Sequence, residues 1–207
     1  MMSETTFPTL SDLQKDALKE VGNIGAGHAA TALSQLLHQK VTLSEPSFDL
    51  IRFDECASVF DPNQQVVALR MHVRGGVQGQ MIVFFDYEQS STFASTFLKR
   101  IVGDITIFDS MKDSTLMEFA NIIGGSYLTA LITLTGVDMR PSVPTLHYGT
   151  VSGTLASLGD INPDSPVMFI QSSFGGEDTI KSHEIFGRVM FIPGEGAISK
   201  LLEPFGM

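Results

Sequence analysis

A chain of 207 residues, 43% hydrophobic and 17% charged, can bury a core of its own and is far from the composition of a disordered polymer. Its formal net charge of −10 has the wrong sign for neutralising a phosphate backbone, so nucleic acid is not an expected partner. The single cysteine, Cys56, excludes an internal disulfide and a thiolate cluster, and fits a reducing cytoplasm.

The first residues, Met-Met-Ser-Glu-Thr-Thr, lack the basic and apolar stretches of a secretory signal. Ser11 and Gln14 form a capping box, and Leu13, Ala17, Val21 and Ile24 follow at helical spacing, which predicts a helix running to about His38. Strands are expected at Val41–Leu43, Phe48–Phe53, Val66–Val73 and Gln80–Phe85, separated by Glu45-Pro46, Asp61-Pro62-Asn63 and Gly75-Gly76 turns. Such short turns favour antiparallel pairing. A helix from about Glu88 to Val102 and another from about Ser110 to Leu134 come next. The uncharged run Phe119–Val137 is as long as a membrane span, but Asn121, Gly124, Gly125, Ser126 and several threonines interrupt it, so it reads as a buried helix and no membrane is expected. Strands near Val167–Ser172 and Phe186–Phe191 precede a final helix ending around Leu201–Phe205.

The chain also repeats itself. A shift of 98 residues lays Leu18–Pro46 over Leu116–Pro144 without a gap. Leu18, Glu20, Asn23, Ile24, Gly27, Thr31, Ala32, Leu33, Leu36, Ser44 and Pro46 return as Leu116, Glu118, Asn121, Ile122, Gly125, Thr129, Ala130, Leu131, Leu134, Ser142 and Pro144. The expected architecture is therefore α/β of the α+β kind. One domain over residues 1–207 is built from two helix–strands–helix repeats (about 9–104 and 107–207), with pseudo-twofold symmetry, a mainly antiparallel sheet and long helices exposed on one side.

At about 100° per residue, Asp16, Glu20, Asn23 and Gly27 share one narrow helical stripe beside the core-facing stripe of Ala17, Val21 and Ile24. Ser114, Glu118, Asn121 and Gly125 repeat it. One Glu and one Asn three residues apart carry no information on a solvated helix. The same pair at equivalent places, with a Pro 23 residues beyond each Asn, does, since Asn is a poor helix former. Gly27 and Gly125 are expected to allow close packing between the long helices, the alternative being that they let a partner approach. Gly22-Asn-Ile-Gly-Ala-Gly27 has the wrong order for a dinucleotide loop and follows no strand. His28, His38, His72, His147 and His183 show no metal-ligand spacing.

The patterns Asp16-x3-Glu20-x2-Asn23-x22-Pro46 and Ser114-x3-Glu118-x2-Asn121-x22-Pro144 resemble the Asp/Ser, Glu, Asn, Pro pattern of the CheC/CheX/FliY phosphatases of chemotaxis. Two intact copies in one compact chain resemble the CheC type within that family. The resemblance implies a cytoplasmic monomer that hydrolyses the aspartyl phosphate of a CheY-like response regulator. Asn23 and Asn121 would orient the attacking water, and Glu20 and Glu118 would pair with the regulator's lysine. Asp16 and Ser114 would either assist docking or merely solvate the helix, and Pro46 and Pro144 would set the adjoining loops. It implies no cofactor or metal of the chain's own, Mg2+ being carried by the regulator.

The resemblance leaves rivals: a non-catalytic module binding a regulator or the receptor deamidase CheD, or a flagellar-switch component. Relatives that bind CheD use a short helix with an acidic residue after the second Pro. Residues 147–160 here contain three glycines and no acid before Asp160, which counts against that partner. Asp16 against Ser114, and Gly22-Asn23-Ile24-Gly25 against Ala120-Asn121-Ile122-Ile123, make the two copies chemically unequal.

Overall fold

Ser11 starts the first helix as its sequence requires. Its Oγ accepts the Gln14 N–H at 3.3 Å while Gln14 Oε1 accepts the Ser11 N–H at 2.8 Å, pairing two amides that a helix start leaves orphaned. The helix, α1 (Asp12–Leu37), ends at His38, whose left-handed backbone (φ 50°) turns the chain away. This computed structural model describes residues 7–38, 40–44, 46–102, 108–176 and 185–206. Residues 1–6, Glu45, His183 and the boundary expected between 104 and 107 lie outside them.

After α1 come β1 (Val41–Leu43), β2 (Ser47–Arg52), a short helix α2 (Cys56–Val59), β3 (Gln65–Gly75), β4 (Gly79–Asp86) and α3 (Tyr87–Val102). The second half follows the same order: α4 (Phe108–Thr135), β5 (Met139–Pro141), β6 (Thr145–Thr150), α5 (Val151–Ala156), β7 (Pro166–Gly176), β8 (Ile185–Pro193) and α6 (Ala197–Leu202), with a 3-10 turn at Glu203–Phe205. The expected strands and long helices are all present within a few residues. The sequence announces neither α2 nor α5, each shorter than two helical turns, nor β5 and β6, which match β1 and β2 in length but carry Pro141 and Gly149. The Gly-rich segment 22–27 lies in the middle of α1 rather than in a loop.

Among the described residues eight strands form one sheet, and every pairing is antiparallel. The hairpins β3–β4 and β7–β8 meet at its centre through β4 and β8, where Val83 faces Val189. The short strands cross over. β1 and β2 pair with β7 of the other half, while β5 and β6 pair with β3. The registers correspond: Ser47 faces Gln171 as Thr145 faces Arg70, and Leu43 faces Phe174 as Pro141 faces Val73. Each half thus completes the sheet edge of the other, which explains why neither would be a self-contained sheet.

The central strands are apolar on both faces because both faces are covered. Val67, Leu69, Met71, Met81, Val83 and Phe85 join the larger core under α1, α3, α4 and α6. Val66, Ala68, Ile82 and Phe84 join a smaller core under α2 and α5, around Cys56, Phe60, Val151 and Leu155. This is why residues 66–69 and 81–85 read as continuous apolar runs without alternation. The apolar helix α4 is a core helix: it packs on α1, α3 and the sheet, and Leu116, Phe119, Ala120, Ile123, Tyr127 and Leu128 are buried.

Candidate functional site

The stripe expected on α1 faces solvent: Asp16, Glu20, Asn23 and Gly27 are exposed, while Leu18, Val21, Gly25 and Ala29 are buried on the other side. On α4, Ser114, Glu118 and Asn121 are likewise exposed above buried Leu116, Phe119 and Ile123. Among the described residues no hydrogen bond or ion pair holds the Glu20, Asn23, Glu118 or Asn121 side chains, so the carboxylates and carboxamides are available to a second molecule. Both helices run unbroken through the site, which fixes each Glu and Asn one turn apart on a rigid rod.

Ser114, Glu118, Asn121 and Pro144 line one open groove of about 290 Å³, together with Met117, Pro141, Ser142 and Val143. Pro144 is buried, and Val143 beside it is 81% exposed. In the first half Pro46 is half-buried against the helix, its Cγ 3.6 Å from where a Cβ on Gly22 would stand, one residue before Asn23. A fixed-φ residue thus adjoins each Asn-bearing turn.

These proline loops are held by a device that sequence reasoning missed. The Ser142 N–H donates to the His72 carbonyl at 2.8 Å, and Ser142 Oγ accepts the His72 N–H at 3.0 Å. The Ser44 N–H donates to the Ser173 carbonyl at 2.9 Å, and Ser44 Oγ accepts the Ser173 N–H at 2.9 Å. Each serine therefore replaces a strand pair just before the proline and pins the loop to the long strand of the other half. Both serines stood out in the self-match, where their recurrence was the available signal.

The glycine expectation needs correction. A Cβ on Gly27 or Gly125 would meet nothing within 4 Å, so neither permits helix–helix contact, and the helix surface there is simply bare. The close approach occurs elsewhere: a Cβ on Gly25 would lie 2.3 Å from Tyr127 Cδ1, and one on Gly124 would lie 2.5 Å from Met71 Cε. Helical periodicity explains the error, since Gly27 and Gly125 belong to the solvent stripe.

Away from the stripes, Cys56 is buried in the smaller core, where burial, aided by Asp54 and Glu55, pushes its thiol up to about 12. It stays protonated near neutrality and is no nucleophile. Beside the second stripe, the Tyr148 hydroxyl donates to Asp113, and Lys112 Nζ lies 5.5 Å from the Tyr87 ring centre and 5.9 Å from that of Tyr148. Burial and Asp113 raise the Tyr148 pKa, keeping the phenol neutral.

Comparison with known proteins places this geometry. A model of the CheC-like family matches residues 13–48 and 111–148, two segments that begin 98 residues apart. The CheY-P phosphatase CheC of Bacillus subtilis is 32% identical over 97% of this chain and 97% of its own length. Among solved structures, Thermotoga maritima FliY superposes with a TM-score of 0.74 at 21% identity, covering 96% of this chain and 98% of that one. The FliM middle domain of Vibrio alginolyticus gives 0.62 at 12% identity, covering 92% and 98%; these two show a shared fold. On the full-length sequence match, and with both family segments falling on the Glu/Asn helices, this chain belongs to the CheC-like family of chemotaxis proteins.

Proposed function

We propose that this chain is a phosphatase that removes the aspartyl phosphate from a CheY-like chemotaxis response regulator. The observation that carries the reading is the exposure of two Glu/Asn pairs, each unencumbered on a continuous helix and each beside a pinned proline loop. The full-length relative that bears the name CheY-P phosphatase supports it. The catalytic groups are Glu20 and Asn23 in one site and Glu118 and Asn121 in the other. Asp16 and Ser114 assist docking, and Pro46 and Pro144 shape the loops. We read the molecule as a monomeric cytoplasmic domain of two repeats.

In this mechanism the Asn carboxamide, which both donates and accepts, holds a water in line with the phosphorus, while Glu pairs with the regulator's lysine and sets the register of the helix. The regulator supplies Mg2+, and no covalent enzyme intermediate forms. The demand is modest: an acceleration of about a hundredfold needs about 2.7 kcal/mol of transition-state stabilisation.

The test is the Asn23→Ala/Asn121→Ala double variant. It is expected to bind a phosphorylated regulator as the parent does, but to lose about two orders of magnitude in the rate of phosphate release, within the range for removing a positioning group. Unaltered turnover would overturn the assignment. The fold shared with FliY and the FliM middle domain is compatible with a second reading, a flagellar-switch component. CheD is a weaker candidate partner, since the short helix after Pro144 is Val151-Ser-Gly-Thr-Leu-Ala156, without an acid.

A further inference from the structure

We propose that the two sites dock the regulator by different chemistry, and that Val143 determines specificity at the second by seating an apolar side chain of the regulator next to the aspartyl phosphate. The inference rests on the phosphatase reading and refines its partner surface.

A single exposed valine is ordinary. Val143, however, is 81% exposed on the same groove that holds Glu118 and Asn121, with Met117 half-buried in the groove floor. One turn before Ser114, Met111 is also exposed, at 36%. The second site is thus a Glu/Asn pair with an apolar border. The first site keeps only the outermost member of that border, Leu13, 64% exposed at the position equivalent to Met111. Exposed Lys19 replaces Met117, and the sequence aligns Glu45, outside the described residues, with Val143. Its helix turns also carry more charge: Asp12, Lys15, Asp16, Lys19 and Glu20 against Lys112, Asp113 and Glu118.

Exposed charges are screened over a Debye length of about 8 Å at physiological salt, whereas apolar burial is not weakened by salt in this way. The apolar border of the second groove matches an apolar residue on the regulator's phosphorylated face, and the charged border of the first, where Lys15 already pairs with Asp12, matches a charged one.

The test uses two single-site proteins, Asn23→Ala (second site alone) and Asn121→Ala (first site alone), with a phosphorylated regulator. Adding Val143→Glu, which copies the residue of the first repeat, should raise KM about tenfold in the Asn23→Ala protein, the scale of losing one valine-sized contact, with kcat held. It should leave the Asn121→Ala protein unchanged. Val143→Ile should keep KM near the parent value. Raising salt from about 50 mM to about 500 mM should increase KM more for the first site than for the second.

An unchanged KM for Val143→Glu in an active Asn23→Ala protein, or equal salt slopes for the two sites, would overturn the proposal. So would an Asn23→Ala protein that is silent while the parent turns over. A parent chain that never speeds phosphate loss would instead remove the phosphatase reading itself, an outcome independent of Val143.

Discussion

α1 and α4 carry the same outward-facing residues at the same interval, yet their inward faces are built from opposite materials. Where α1 buries Gly22, Gly25 and Ala29, α4 buries Ala120, Ile123 and Tyr127. The thin rail lies against the thick one, with Gly25 backing directly onto the Tyr127 ring. Two helices packed closely against each other cannot both be thick at the crossing. The inward faces are therefore free to diverge as long as their volumes remain complementary. The outward Glu and Asn face no such trade, and their repetition must be explained by something outside the molecule.

Filling the thin rail is the strongest way to break this complementarity. Gly25→Ala puts a methyl 2.3 Å from Tyr127 Cδ1 and 2.8 Å from Cε1, and the ring, 1% exposed, has nowhere to move. A loss of about 1–3 kcal/mol is expected, read as a fall in Tm of about 2–10 °C for a chain of this size. Pairing it with Tyr127→Leu should return part of that loss, giving a coupling energy of about 1 kcal/mol or more in a double-mutant cycle. Strict additivity would show that the two rails do not depend on each other.

A weaker contrast lies in the smaller core. Cys56 and Thr154 stand 98 residues apart at the buried faces of α2 and α5, 0% and 3% exposed. The Cys56 thiol reaches the Arg52 carbonyl at 3.6 Å, while Thr154 Oγ1 is buried with no hydrogen-bond partner among the described residues. A buried hydroxyl without a partner costs about 1–3 kcal/mol in mutational series. The isosteric Thr154→Val change is therefore expected to stabilise the protein by about 1 kcal/mol in denaturant unfolding. A loss of stability would mean that the hydroxyl is satisfied, and that the two halves solve this position alike.

The sequence revealed the long elements and the site residues for the same reason: both are written as periods. Helix-spaced apolar positions give α1, and the 98-residue interval gives α4 together with Glu20, Asn23, Glu118 and Asn121. What it hid was pairing across the halves. β5 and β6 are no shorter than β1 and β2, but they carry Pro141 and Gly149, which weaken a strand pattern, and their partners in β3 lie some 70 residues away. The clamps of Ser44 and Ser142 depend on that crossover and were invisible with it. The groove border was hidden too, because Val143 lies on a loop and gains its meaning only when the chain brings it beside Asn121.

The smallest contrast is at the site itself. Gly22 precedes Asn23, and its counterpart before Asn121 is Ala120. A Cβ on Gly22 would stand 3.6 Å from Pro46 Cγ and 3.9 Å from Cβ, ordinary van der Waals contact. The glycine is thus not required for space, and its helical backbone does not require it for conformation. Gly22→Ala is expected to add about 0.5–1 kcal/mol of stability through helix propensity and a less flexible unfolded chain, measured by thermal or denaturant unfolding. With the second site silenced by Asn121→Ala, the same change should leave turnover at the first site unaltered, since the new methyl points at Pro46 and not along the outward stripe. If stability rises while turnover falls, the glycine serves the motion of the proline loop on the regulator, and the two sites differ in mobility as well as in border. If stability falls, Pro46 seats too tightly on α1 to admit the methyl that Ala120 carries at the equivalent place on α4, and the equivalence of the two loops fails at its most direct point of comparison.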